Sequence, residues 1–263
     1  MKLKEGIYEQ VISNKIHEEI KNRENEINIQ KEEIEKEEAK IVLSKYLQEV
    51  TKKSLSLLKN KDLNKQIELC NQIINYLSTQ VEDEEIKENN IHKNGEILLS
   101  IEEKLNKSKI KNNNIRPITP ISQSYLFTNS NNEPDLINEL KREIASSDSI
   151  DILVSFIRWS GLRLIKDELI EHTKTKKLRI ITTSYMGASE FRAIKFLSQL
   201  PNTEIKISYD TQRTRLHAKS YMFNRNTGFT TAYIGSSNIS KDAMTTGLEW
   251  NMKVSEKDSK NIV

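Results

Sequence analysis

The chain has 263 residues, enough for one large or two small domains, and 36% of them are hydrophobic against 30% charged. A single cysteine, Cys70, excludes an internal disulfide framework and suits a reducing, cytoplasmic setting. No apolar run is long enough to span a bilayer, and the start lacks the apolar core of a signal peptide, so no membrane partner is expected.

Residues 1–105 are rich in Lys, Glu, Asn, Ile and Leu, contain no proline, and have only two glycines, Gly6 and Gly95. Ile7, Val11, Ile12, Ile16 and Ile20 fall on one helical stripe. Ile34, Ile41, Val42, Tyr46, Leu47 and Val50 make a second, and Leu63, Ile67, Leu69, Cys70, Ile73, Ile74 and Leu77 a third. The expectation is an all-α N-terminal region, a bundle or long hairpin. Its charged run Lys31 to Lys40 is expected on a solvated helix face, with Cys70 as a packing thiol. Gly95 to Ile101 fits a short strand or a helix start equally well.

Residues 106–122 carry two prolines and a cluster of asparagines, which predicts a linker. From residue 123 to 263 the pattern changes. Pro134 is expected at a first helical position, with the helix running to about Ala145. Ile150 to Ile157 predicts a buried strand and Leu162 to His172 an amphipathic helix. Leu178 to Thr183, Ala188 to Leu200 and Ile205 to Tyr209 predict strand, helix and strand. That alternation implies a parallel core with helices packed on it. The charge splits too: the part before Arg116 is slightly acidic, and the remainder carries an excess of about five positive charges.

Leu216 to Met222 alternates with period two, which predicts a strand presenting His217 and Lys219 on one face. Asn224 to Gly228 supplies a turn, Phe229 to Ile234 a return strand, Ser240 an N-cap for a short helix to Met244, and Leu248 to Val254 a last strand. The fold class is therefore α/β, a mixed sheet with flanking helices. The residue types in this stretch suit a phosphate. A neutral imidazole at His217 is a fair nucleophile, Lys219 a cation on the same face, Ser236 a hydroxyl and Asn238 an amide donor. Glu249 could accept a hydrogen bond from the ring nitrogen that does not attack. The four histidines, His17, His92, His172 and His217, make no H-x-x-x-H pair, so neither metal nor cofactor is expected.

H-A-K at 217–219 followed by G-S-S-N at 235–238 resembles the H-x-K…G-S-x-N motif of the phospholipase D superfamily, with Glu249 where its nucleases carry a His-orienting Glu. One departure stands out: Asn224 occupies the position usually held by Asp. The segments R-P-I-T-P-I-S, L-V-S-F-I-R-W-S-G-L-R-L-I, R-I-I-T-T-S-Y-M-G-A, L-P-N-T-E-I-K-I-S-Y-D and T-G-L-E-W-N resemble the N-terminal region of bacterial proteins in which a nuclease domain of this kind precedes a superfamily 2 helicase. The 263 residues contain no G-K-T or G-K-S nucleotide-binding motif, so the chain is expected to be the front part of such a protein.

The resemblance implies a metal-independent DNA phosphodiesterase working through a covalent phosphohistidine, in a defence or restriction context. Its catalytic set would be His217, Lys219, Ser236, Asn238 and Glu249. The mechanism needs two histidines and the chain has one motif, so the resemblance also implies a homodimer with a shared site. Arg158, Tyr185, Arg213, Arg215 and Lys241 are expected to meet DNA, the cations at phosphates and the tyrosine by stacking. Two other readings stay open: a non-cleaving nucleic-acid-binding or dimerisation module, which Asn224 favours, and a phospholipid phosphodiesterase.

Overall fold

The computed structural model describes residues 3–23, 25–58, 62–101, 115–130, 134–210 and 216–259. They fall into two compact units, Met1–Ile101 and Glu102–Val263.

The first unit is helical: α1 (Asn14–Asn22), α2 (Ala39–Leu57), α3 (Leu63–Val81) and α4 (Glu84–Glu88). Ser13, Asp62 and Asp83 cap α1, α3 and α4 by accepting backbone N–H groups of the first turn. Ile67 is the one buried hydrophobic residue of the unit among those described, and Cys70 is half-buried. Ile7, Val11, Ile12 and Ile34 precede their expected helices. Lys31 to Lys40 is solvated as expected, but the chain becomes helical only at Ala39. Gly95 to Ile101 adopts neither of the structures its sequence allowed.

The second unit holds a seven-stranded mixed sheet of order β1-β7-β6-β5-β2-β3-β4. The strands are β1 (Tyr125–Phe127), β2 (Ser149–Val154), β3 (Lys177–Thr183), β4 (Thr203–Ser208), β5 (Lys219–Asn224), β6 (Thr231–Gly235) and β7 (Asn251–Ser255). β2, β3 and β4 are parallel, joined by α6 (Trp159–Thr173) and α7 (Phe191–Ser198). Right-handed crossovers put both helices on one face of the sheet. α5 (Leu136–Ser146) packs beside α6 on that face, and α8 (Lys241–Met244) follows β6 behind its Ser240 cap. Ile150, Ile152 and Val154 alternate into this layer with Leu162, Ile165, Leu169, Leu178 and Ile180, each contributing about 1.5–3 kcal/mol by burial.

Some boundaries differ from the sequence expectation. Asp135, not Pro134, caps α5, so the proline stands outside the helix. β5 begins at Lys219 and β7 at Asn251, which leaves His217 and Glu249 in the segments leading into strands. β1 had no sequence signal: three residues are too few for a period. The stretch read as a linker is docked in its second half, where Ile118 and Thr119 donate backbone N–H groups to Glu139 at 2.5 and 3.1 Å. Residues 106–114 lie outside the described residues.

The reason for that docking is a buried charge cluster under α5. Glu139, Glu143 and Lys253 are 0% exposed and Arg225 8%. Lys253 Nζ lies 3.3 Å from Glu139 and 3.5 Å from Glu143, and Arg225 reaches Glu143 at 2.5 Å. Tyr233 and Thr231 also donate to Glu143, at 2.9 and 3.0 Å. Two carboxylates and two cations balance, and every lone pair finds a donor, which is what such burial requires. Lys253→Met should leave two buried carboxylates facing one cation. The expected loss, about 3–5 kcal/mol in denaturant unfolding, follows from an uncompensated charge; a change below about 1 kcal/mol would contradict the cluster's role.

Candidate active site

Sheet topology brings the sequence-predicted residues to one edge. β5 runs antiparallel to β2 with Lys219 opposite Val154, so His217 stands just beyond the C-terminal end of β2. β6 runs back to the same edge, ends at Gly235, and delivers Ser236, Ser237 and Asn238 there. β7 starts opposite Gly235, so Glu249 and Trp250 arrive at that edge too. The carboxyl ends of β2 and β3 add Arg158 and Tyr185. Two glycines make the crowding possible. A side chain on Gly235 would come within 2.1 Å of the Trp250 carbonyl oxygen, and one on Gly161 within 2.5 Å of the Ser240 nitrogen.

His217 is exposed and Lys219 only 8% exposed. The Lys219 ammonium lies 2.9 Å from His217 Nδ1 and 3.2 Å from Nε2, and it donates to the His217 carbonyl at 3.0 Å. Burial pulls the lysine below its ordinary pKa, and the charge of Glu249 partly restores it. Burial, with the charge of the same carboxylate, pushes the Tyr221 hydroxyl up. No hydrogen bond joins Glu249 to His217 in this arrangement; Glu249 acts on Lys219 and Tyr221 through its field.

Asn238 is buried, and its Oδ1 accepts from the backbone N–H groups of Ser155 at 3.0 Å and Phe156 at 3.2 Å. The Ser155 hydroxyl in turn donates to the Ala218 carbonyl at 3.5 Å, between His217 and Lys219. Asn238 therefore ties the loop after β6 to the end of β2, with Nδ2 as its remaining donor. Ser236 Oγ accepts from the Trp250 N–H at 3.1 Å, so this hydroxyl is already engaged with the backbone. Asn224 closes the far end of β5, where its Nδ2 donates to Asp151 at 3.0 Å. It is a strand-end residue, a strand's length from His217, and not part of the turn.

Arg158 is exposed beside this edge, its N–H donated to Ile239 at 2.8 Å and its guanidinium 5.5 Å from the Phe156 ring. Lys241 is exposed at the start of α8, and Tyr185 is half-buried in a tight turn after β3. Arg213 and Arg215 lie outside the described residues. Two supports had no sequence signal. Asn251 donates to Ser237 Oγ at 2.8 Å, and Tyr221 donates to the Ser237 carbonyl at 2.9 Å, together fixing the loop that carries Asn238. No group of three or more His, Cys, Asp or Glu side chains among the described residues could hold a metal ion.

Residues 140–262 match the family of cardiolipin synthase, PLD-like domains. This part of the chain is a phospholipase D-like domain. No curated protein matches the chain. Among solved structures it is similar to NucT from Helicobacter pylori at 22% identity and a TM-score of 0.41, over 52% of this chain and 87% of that one. It is also similar to a polyphosphate kinase from Porphyromonas gingivalis (13%, TM-score 0.37, 52% of this chain and 24% of that one). A third is a yeast tyrosyl-DNA phosphodiesterase (10%, TM-score 0.34, 50% and 31%). The chain thus spans about a quarter and a third of the last two.

In this phospholipase D-like domain Lys219 opposes folding at neutral pH, because the fold disfavours its protonated form. Between its lowered native pKa and the ordinary value of 10.5 the unfolded chain binds more protons, so stability should rise with pH there. Lys219→Met should leave the melting temperature unchanged or raised and abolish that rise. Asn238→Ala should do the opposite, losing about 1–3 kcal/mol as two buried N–H groups go unpaired. Thermal unfolding of both variants from pH 7 to 10 checks this, and a destabilised Lys219→Met would contradict it.

Proposed function

We propose that the chain is a metal-independent phosphodiesterase acting on DNA, with His217 as nucleophile. The observation that carries this is His217, Lys219 and Asn238 converging at one sheet edge, with Glu249 influencing the lysine. In the first step an imidazole nitrogen of His217 attacks phosphorus, a P–N bond forms, and the P–O bond to the leaving group breaks. The leaving oxygen takes a proton from His217 of the partner subunit. In the second step that histidine accepts a proton from water, the resulting oxygen attacks phosphorus, and the P–N bond breaks. Lys219 and the Asn238 Nδ2–H neutralise charge on the non-bridging oxygens. In the resting arrangement Lys219 lies against the nitrogens that must attack, so an incoming phosphate has to draw the ammonium onto itself and uncover the ring.

DNA is favoured over other phosphodiesters by the positive excess of this half of the chain and by the exposed Arg158 and Lys241 beside the site. The position of Asn224 supports cleavage over a purely binding role: the substitution lies at the far end of β5 and leaves the reacting groups in place. Exposed Leu248 and Trp250 on the rim are what a lipid-cleaving reading would use. The helicase link implied by the resemblance has no counterpart in these comparisons. No helix among the described residues is long and apolar enough to cross a membrane.

His217→Ala should abolish cleavage of plasmid and oligonucleotide while preserving the fold, and Lys219→Ala should lower turnover about 10²–10³-fold. Excess EDTA should leave the native rate unchanged; loss on chelation, restored by magnesium, would point to a different nuclease chemistry. Sedimentation should find the active species dimeric, and full activity in a monomer would contradict the shared site.

A further inference from the structure

The rim of the site carries a tryptophan that neither the fold nor the chemistry above uses. Trp250 is 67% exposed, a costly display for the largest apolar side chain. Its backbone is held on both sides by one residue. Ser236 N–H donates to the Trp250 carbonyl at 3.0 Å, and the Trp250 N–H donates to Ser236 Oγ at 3.1 Å. Gly235 lacks a side chain where one would strike that same carbonyl. Ser236 thus fixes the backbone and Gly235 makes room for it, while the indole makes no ring contact or hydrogen bond with any described residue. A rigid backbone under a bare indole is what a stacking surface needs, since little motion is lost when a ring lies on it.

Its position suggests what stacks there. Asn251, Lys253 and Ser255 point into the buried layer, so Trp250 and the exposed Met252 lean to the opposite face. Glu249 precedes the indole and leans to the side of Lys219. Between Trp250 and His217 lie two strand spacings, β7 to β6 to β5, about 10 Å. Side chains leaving backbones so spaced toward different faces cannot share one phosphate, but a strand crossing the rim could lay a neighbouring base on the indole. The surrounding charge is positive: Lys241 follows the site loop and Arg158 flanks it. Exposed Leu248, Met252 and, opposite Met252 on β6, Ile234 lie close to Trp250 in the chain or the register, while Met186 stands apart on β3's side of His217; of the rim residues next to the site loop, Trp250 is the one with a flat aromatic face.

We propose that Trp250 is a stacking platform for an unpaired nucleobase next to the phosphate held at His217. The substrate is then single-stranded or locally opened nucleic acid, because a base paired within a duplex hides its face in the stack. This rests on the phosphodiesterase reading above and adds the strandedness of its substrate.

The test uses the full chain carrying His217→Ala to prevent turnover and Trp159→Phe to leave Trp250 as the sole tryptophan, the sequence having two. Emission from Trp250 is titrated with an oligonucleotide and with the blunt duplex of the same sequence, and filter binding with Trp159 intact repeats the comparison. Single strands should quench Trp250 and bind about ten-fold or more tightly than the duplex. Trp250→Ala should lose about ten-fold in single-strand affinity and little in duplex affinity, with Trp250→Phe keeping most of the binding. Equal quenching by duplex would overturn the proposal. So would an unchanged Trp250→Ala affinity, whether or not that variant loses dimer in sedimentation or loses binding to anionic phospholipid vesicles. Quenching by single strands in a protein that cleaves no phosphodiester would leave the platform standing and remove the phosphohistidine reading.

Discussion

The carboxamide oxygen of Asn238 holds this site together. The end of β2 presents two backbone N–H groups, on Ser155 and Phe156, that have left the ladder and need an acceptor in a buried place. Asn238 supplies it from the loop after β6. The same segment runs beside β2 through the Ile157–Ile239 bridge, and Gly161 lets α6 come down upon it. Remove the carboxamide and the loop bearing Ser236, the entry to β5 bearing His217, and the start of α6 bearing Arg158 lose their common anchor. A motif asparagine thus acts first as a structural clamp, and only its Nδ2 is left to meet an oxyanion.

Charge is used in opposite ways at two places in the domain. Under α5, Glu139, Glu143, Lys253 and Arg225 are buried in near-complete balance, and they fasten Thr119 and the β5–β6 turn to the helix. At the candidate site Lys219 is buried without an ion-pair partner among the described residues, against an imidazole that offers it lone pairs. That lysine has a weakened hold on its proton; neutral acceptors of His217 and the field of Glu249 are what meet its charge. An incoming phosphate diester would complete what the fold leaves incomplete. The stability given up at Lys219 is the cost of electrostatic attraction kept in reserve for substrate.

Much of this could be read from the chain alone. The alternation of apolar runs with helical stripes from Ile150 to Tyr209 carries the parallel half of the sheet, and H-A-K with G-S-S-N marks the candidate site. Period and motif both reside in neighbouring residues. What escaped were facts created by tertiary contact. β1 is three residues long and exists because β7 offers it an edge. The buried partners Glu139 and Lys253 are more than a hundred positions apart, and each looks like a surface charge on its own. Ser236 reads as a phosphate donor, yet its hydroxyl faces the Trp250 backbone across a register no local pattern specifies. The exposed Trp250 sat within the resembling segment T-G-L-E-W-N, but exposure is a property of the fold. In residues 1–101 the stripes located helices, while the late start of α2 at Ala39 has no local signal in the charge pattern.

The central claim is that a nitrogen of His217 forms a bond to phosphorus. Rapid denaturing quench of a single turnover on an oligonucleotide, followed by peptide mass measurement, tests it most directly. The account predicts a peptide containing His217 that carries the nucleotide fragment through a linkage lost in acid and stable in alkali, absent from His217→Ala. Turnover at the native rate with no adduct at any time, or an adduct on another residue, would contradict it.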